Sequence, residues 1–251
     1  MNPDVKEALR GKIMALADDE MVLAHRNSEW AGHGPILEED IAFANIALDE
    51  MGHASTWYSL LQELTGADPD RMVFFRDAGD YRNVQIVELP KGDWAFSMLR
   101  QYLFDAAEMV QLGHLAGSAY RPLAQAAAKI RTEEIYHLRH TSQWVKRLGL
   151  GTEESQGRMQ RALDELWPYA QQLFVPLPDE ELLVEVGMAV EAAVLGDEWR
   201  QAVRRHLEDS GLHVPDRNGP PTTDRAEHTE HLPALLAEMQ IVARLDPEAE
   251  W

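Results

Sequence analysis

Along most of this chain the apolar positions recur at steps of three and four residues, the period of a helix that buries one face. Glycine and proline collect in a few places between these stretches and punctuate them. The pattern predicts a first helix over about residues 4–29, closed by Ala31-Gly32-His33-Gly34-Pro35, and a second over about 37–64, stopped by Gly66 and Pro69. A third is expected over about 94–120. A fourth follows over about 122–148, where Pro122 suits a first helical turn and Gly149 a stop. From Gly66 to Asp93 aromatic and β-branched residues occur without a helical stripe, which reads as an ordered crossover. More helix is expected near 153–174, 179–209 and 226–244, with Ser210 to Asp224 as a loop.

Two short joints and one long crossover are the connectivity of a ferritin-like four-helix bundle, so the fold class is all-α. A single domain is expected, with its core bundle over about 4–148 and accessory helices over about 153–244.

Four of the predicted stripes are interrupted in the same way. The second helix runs Phe43, Ile46, Glu50, His53, Trp57 and Leu60 or Leu61, and the fourth runs Ile130, Glu134, His137, Thr141, Trp144 and Leu148. The first carries Glu20 among Ile13, Leu16 and Leu23, and the third carries Glu108 among Phe104, Leu112 and Leu115. An i,i+3 pair on a helix aims both side chains at one spot. Thirty residues separate Glu20 from Glu50 and twenty-six separate Glu108 from Glu134, so each half reads as a glutamate followed by Glu-x-x-His. That arrangement holds two iron or manganese ions in ferritin-like carboxylate proteins. Oxygen and imidazole donors suit iron, and six ligands on two metals leave positions open for dioxygen. Asp49 and Glu133 precede the ligand glutamates, where they are expected to orient the histidines. The alternative is a charge-paired polar core without metal; either way, buried carboxylates on four apolar faces cost several kcal/mol each unless compensated.

Composition narrows the chemistry. Among 251 residues, 43 are acidic and 23 basic, a net charge of −20, which disfavours nucleic acid and anionic membranes as partners. With no cysteine there is neither a disulfide nor a thiolate nucleophile nor an iron–sulfur cluster of its own, so any electrons the chain uses must come from elsewhere. The N-terminal MNPDVKEALRGK lacks the order of a signal peptide and no apolar run reaches the ~20 residues of a membrane span, so a cytoplasmic location is expected. His33 and His140 read as structural. His228-Thr229-Glu230-His231 looks like a metal tract, yet its place beside a polar loop favours a solvated or capping role. Trp30, Trp57, Trp94 and Trp144 fall at core spacing.

The run SEWAGHGPILEEDIAFANIALDEMGH, with RQYLFDAAE, EEIYHLRHTSQWVKRLGLG and HTEHLPALLAEMQIVARLDPEAEW, resembles the ferritin-like subunits of the multicomponent phenylacetyl-CoA epoxidase, specifically the C-type members. The resemblance spans nearly the whole chain. It implies a role in aerobic phenylacetate degradation, where the complex epoxidises the ring of phenylacetyl-CoA with dioxygen and electrons from a separate flavin and iron–sulfur reductase. It further implies a homodimer in isolation and a catalytic A-type partner in the complex. In this family the catalytic di-iron site belongs to the A-type member, while the C-type member is a structural partner that has often lost its ligands. Here Glu20, Glu50, His53, Glu108, Glu134 and His137 all match the di-metal motif. Three readings stand: a structural partner that keeps a di-iron site, a di-iron oxygenase in its own right, and a metal-free interaction subunit.

Overall fold

The computed structural model describes residues 1–216 and 219–248. Its helices are α1 (Pro3–Ser28), α2 (Leu37–Thr65), α3 (Pro69–Phe74), α4 (Trp94–Leu115), α5 (Arg121–Gly149), α6 (Glu153–Ala170), α7 (Glu180–Glu185), α8 (Ala192–Asp209), α9 (His231–Met239) and α10 (Ile241–Leu245). No strand occurs among the described residues, so the all-α class expected from the periodicity is the class found. Among the described residues no helix is long and apolar enough to cross a membrane.

Two compact units make up the chain. One joins Met1–Ala8 to Lys91–Thr223, and the other joins Leu9–Pro90 to the segment from Asp224 onward. In the first, α4 and α5 form a helical hairpin with α6 and α8 packed against it. Asp93 caps α4 by accepting from the Phe96 amide at 3.0 Å, and Thr152 caps α6 by accepting from the Ser155 amide at 3.2 Å. Trp199 stacks on Trp167 at 5.4 Å and lies 5.2 Å from Phe174, and its indole N–H donates to the Leu103 carbonyl at 3.1 Å. The α5 helix ends at Gly149, where a side chain has no room: a Cβ would meet the Ser210 carbonyl oxygen at the end of α8. Trp94 and Trp144, half-buried, meet edge to face at 5.8 Å.

In the second unit, α2 closes at Gly66, whose φ of 78° is the left-handed value glycine adopts without strain. Asp68 caps α3, accepting from the Asp70 and Arg71 amides at 2.8 and 3.2 Å.

Several helix boundaries differ from the periodicity where a backbone group finds a distant partner. The third predicted helix stops at Leu115 instead of about 120, because the Ala119 amide donates to the Gly187 carbonyl and the Ser118 hydroxyl to the Met188 carbonyl, both at 2.9 Å. The helix expected over 179–209 is broken between α7 and α8. Gly187 turns there at a φ of 71°, and the Met188 and Ala189 amides both donate to the Leu183 carbonyl. The helix expected from about 226 begins only at His231, and Gln240 then separates α9 from α10 while its side-chain amide donates to the Val73 and Arg76 carbonyls at 3.1 and 3.0 Å. The crossover, though it lacks a helical stripe in sequence, contains the short helix α3.

The α8 helix carries a pH-sensitive contact. His206 donates from Nε2 to the Ser142 carbonyl at 3.1 Å and packs on Tyr102 at 5.0 Å, with Lys146 and Asp209 as the nearby charges. Burial lowers its pKa below the ordinary value of 6.5, with Lys146 acting in the same direction. The unfolded chain therefore binds a proton more readily than the folded one. Stability from this group is complete above pH 6.5 and declines as pH falls toward the lower folded pKa. Urea titrations of wild type and His206→Gln from pH 5 to pH 7.5 are expected to converge toward the acid end.

Candidate metal centre

Each unit builds half of the expected ligand set. In the second unit α1 supplies Glu20 and α2 supplies Glu50 and His53, which are 1%, 0% and 2% exposed. The Nδ1 atom of His53 lies 3.7 Å from a Glu20 oxygen and 3.5 Å from a Glu50 oxygen. One ligand atom from each of the three falls within 4.8 Å of the other two. Two carboxylates and an imidazole converging in a water-excluded pocket have the donor chemistry of a divalent-cation site. The three side chains meet because Glu50 and His53 are one helical turn apart and interrupt a face whose other members, Phe43, Ile46, Trp57 and Leu61, are buried.

In the first unit Glu134 and His137 occupy the same positions on α5, with His137 Nδ1 2.7 Å from a Glu134 oxygen. Glu108 is buried on α4. The register between these two helices is set one turn away, where the Thr141 hydroxyl donates to Asp105 at 2.6 Å and Gln101 donates to the other Asp105 oxygen, also at 2.6 Å. Asp49 and Glu133 are exposed, unlike the histidines they were expected to orient. His33 sits in the exposed turn before α2, where its amide and that of Gly34 donate to Asp40 at 3.1 and 3.0 Å, and His140 is half-buried outside the Glu134/His137 face.

Periodicity alone missed the polar network behind Glu20. Asp18 and Asp19, adjacent in sequence to that glutamate, are buried and turned toward the crossover. Asp18 accepts from Tyr58 at 2.5 Å, from both terminal nitrogens of Arg76 at 2.5 and 3.0 Å, and from the Arg82 amide at 2.8 Å. Burial, reinforced by Asp18, pushes the Tyr58 hydroxyl well above its ordinary pKa, so it remains a donor. Asp19 accepts from the Val84 amide at 2.6 Å and from Arg225 at 2.7 Å; burial pushes its carboxyl above the ordinary value against the pull of that guanidinium. Farther along, Glu88 is buried and accepts from Asn83 at 2.9 Å and from the Thr229 amide and hydroxyl, both at 2.7 Å; it also pairs with His228 at 2.7 Å. Of the solvated or capping role expected for the His-Thr-Glu-His tract, the solvated part is corrected at His228, whose side chain is 7% exposed and tied to a buried acid, while the Thr229 hydroxyl accepts from the His231 amide at 3.3 Å at the start of α9. The one signal available was the unbroken Asp18-Asp19-Glu20 run inside an apolar helix.

Family comparison bears on what such a site serves. A family model described as phenylacetic acid catabolic protein matches residues 1–251. The chain belongs to the phenylacetic acid catabolic protein family. Within the family it is 38% identical over 240 residues to the C-type member of the 1,2-phenylacetyl-CoA epoxidase of Escherichia coli (strain K12), which covers 95% of this chain and 97% of that one. It is also 28% identical over 178 residues to the A-type member of the same epoxidase from the same organism, covering 70% of this chain and 57% of the relative. The family resemblance carried by Ser28–His53 and the C-terminal run is therefore correct.

Proposed function

We propose that this chain acts in phenylacetate catabolism as the C-type subunit of a phenylacetyl-CoA epoxidase, chiefly as a structural partner of the catalytic A-type subunit, in the cytoplasm. The reading rests on the 38% identity to a C-type relative across nearly the full length of both chains. We further propose that Glu20, Glu50, His53, Glu108, Glu134 and His137 form the ligand set of a di-iron site retained on this chain. What supports retention is the buried Glu20, Glu50 and His53 cluster. Four carboxylates balance the charge of two divalent cations, and the histidines add neutral donors. A bound iron pair would supply dioxygen activation, with electrons delivered by a separate reductase.

A second reading, a di-iron oxygenase active in its own right, is favoured by the same cluster. Against it stands the net charge of −20, a poor field for gripping the phosphates of coenzyme A. A third reading keeps the six residues as a metal-free polar core. Without the A-type partner we expect self-association into a homodimer, and with it co-purification. The deciding experiment assays ring epoxidation of phenylacetyl-CoA by the chain plus reductase, with and without the A-type partner. Product is expected only when that partner is present. Turnover in its absence would establish the second reading instead.

A further inference from the structure

Each half of the proposed ligand set has a buried aspartate beside it on the glutamate-bearing helix, and that aspartate accepts a hydroxyl from the helix bearing Glu-x-x-His. In the second unit Asp18, two residues before Glu20 on α1, accepts at 2.5 Å from Tyr58, five residues after His53 on α2. In the first unit Asp105, three residues before Glu108 on α4, accepts at 2.6 Å from Thr141, four residues after His137 on α5. Water does not compete for either bond: Asp18, Asp105 and Thr141 are 0% exposed and Tyr58 is 1% exposed.

We propose that Asp18 with Tyr58, and Asp105 with Thr141, are positioning residues for the two halves of the metal centre. Each tie fixes the roll and slide of the glutamate helix against its partner, so that the glutamate carboxylate meets the Glu-x-x-His pair. The inference rests on the ligand set proposed above and adds what holds that set in place.

Glu50 and His53 keep their spacing because one helix carries both, whereas Glu20 reaches them only if α1 sits correctly on α2. The apolar residues around it, Ile13, Leu16, Ala17 and Leu23, are buried, but apolar contact is non-directional and tolerates small rolls. A roll of 10° swings a carboxylate at the helix perimeter by about 1 Å, beyond the roughly 0.5 Å within which a ligand constellation has to be held. Hydrogen bonds to a carboxylate are short and directional, and the same roll would break them. Asp18 lies about 160° around α1 from Glu20, so it resists the roll from the far side of the helix. It is itself held rigidly. Both terminal nitrogens of Arg76 and the Arg82 amide donate to it, while Arg76 lies over the Tyr81 ring at 4.1 Å and donates to the Asp80 carbonyl at 3.0 Å. In the first unit the tie lies in the same seam as the ligands, one turn away, and Gln101 holds the other oxygen of Asp105.

Tyr58→Phe and Thr141→Val each delete one hydroxyl and keep the shape of the side chain. Asp18 then retains Arg76 and the Arg82 amide, and Asp105 retains Gln101. The full-length, metal-free chain is titrated with cobalt(II), followed by its visible absorption, at a temperature where melting curves show every variant fully folded. There a loss of global stability does not move the dissociation constant, because the folded fraction stays near one. Each variant is expected to raise that constant about tenfold, the lower end of the effect of groups that orient ligands from behind. Each is also expected to change the cobalt absorption bands, which follow coordination geometry. Variants that match wild type in both affinity and spectrum would overturn the positioning role and leave the ligand set standing. A wild type that takes up no cobalt(II) would overturn the ligand set and this inference together. Should Tyr58→Phe not fold, Thr141→Val alone decides between these outcomes.

Discussion

Arg225→Gln is expected to destabilise the folded chain by about 3–5 kcal/mol, the usual consequence of removing one partner from a buried ion pair. Arg225 and Asp19 are 8% and 6% exposed at the side chain and 2.7 Å apart, and the same guanidinium nitrogen donates to the Arg82 carbonyl at 3.0 Å. Without it, Asp19 keeps its bond from the Val84 amide but loses its counter-charge in a site already desolvated. Asp19→Asn combined with Arg225→Gln should recover part of the loss, because the uncompensated charge goes with it. Urea denaturation of wild type and the two variants, followed by tryptophan fluorescence and circular dichroism together, measures both effects. A loss below about 1 kcal/mol for Arg225→Gln would place the pair among ordinary surface contacts.

Glu50→Gln and His53→Ala are expected to lower bound iron to less than half of the wild-type content while the helices persist, since Phe43, Ile46, Trp57 and Leu61 still pack the same face of α2. The two states of the protein should respond in opposite directions. In chelator, Glu50→Gln removes one of two carboxylates that share a buried cluster, so thermal stability is expected to rise. With metal at about 100 times its dissociation constant, wild type gains roughly 2.7 kcal/mol that the variant lacks, so the order reverses. Elemental analysis after expression in iron-replete medium, with melting curves in ferrous iron and in chelator, reads both. An iron-free wild type whose melting is indifferent to chelator would leave these residues as a polar core.

The α1, α2 and α5 boundaries were legible to within one or two residues, and so was the burial of all six candidate ligands. A charged residue that falls in phase with an apolar stripe must be buried if the helix packs at all, and phase is a property of near neighbours in sequence. The close approach of Glu20 to Glu50 and His53 needed two helices, yet the repeated Glu and Glu-x-x-His pattern already pointed to it.

What escaped the sequence depends on partners far along the chain. Asp18 and Arg76 are 58 residues apart, and Asp19 and Arg225 are 206 apart. An acidic run on α1 looks the same whether it faces water or a guanidinium. For the same reason α4 ends at Leu115, where a hydrogen bond to the Gly187 carbonyl replaces the next helical turn. Likewise His228 is held by Glu88 rather than by solvent. By itself, then, the sequence determined the helical class and the inward phase of the six candidate ligands, because both follow from local periodicity. Only the tertiary structure decided which charges pair, where the later helices break and how the C-terminal segment is tied to the crossover. Those outcomes are set by hydrogen bonds between residues that no local pattern relates.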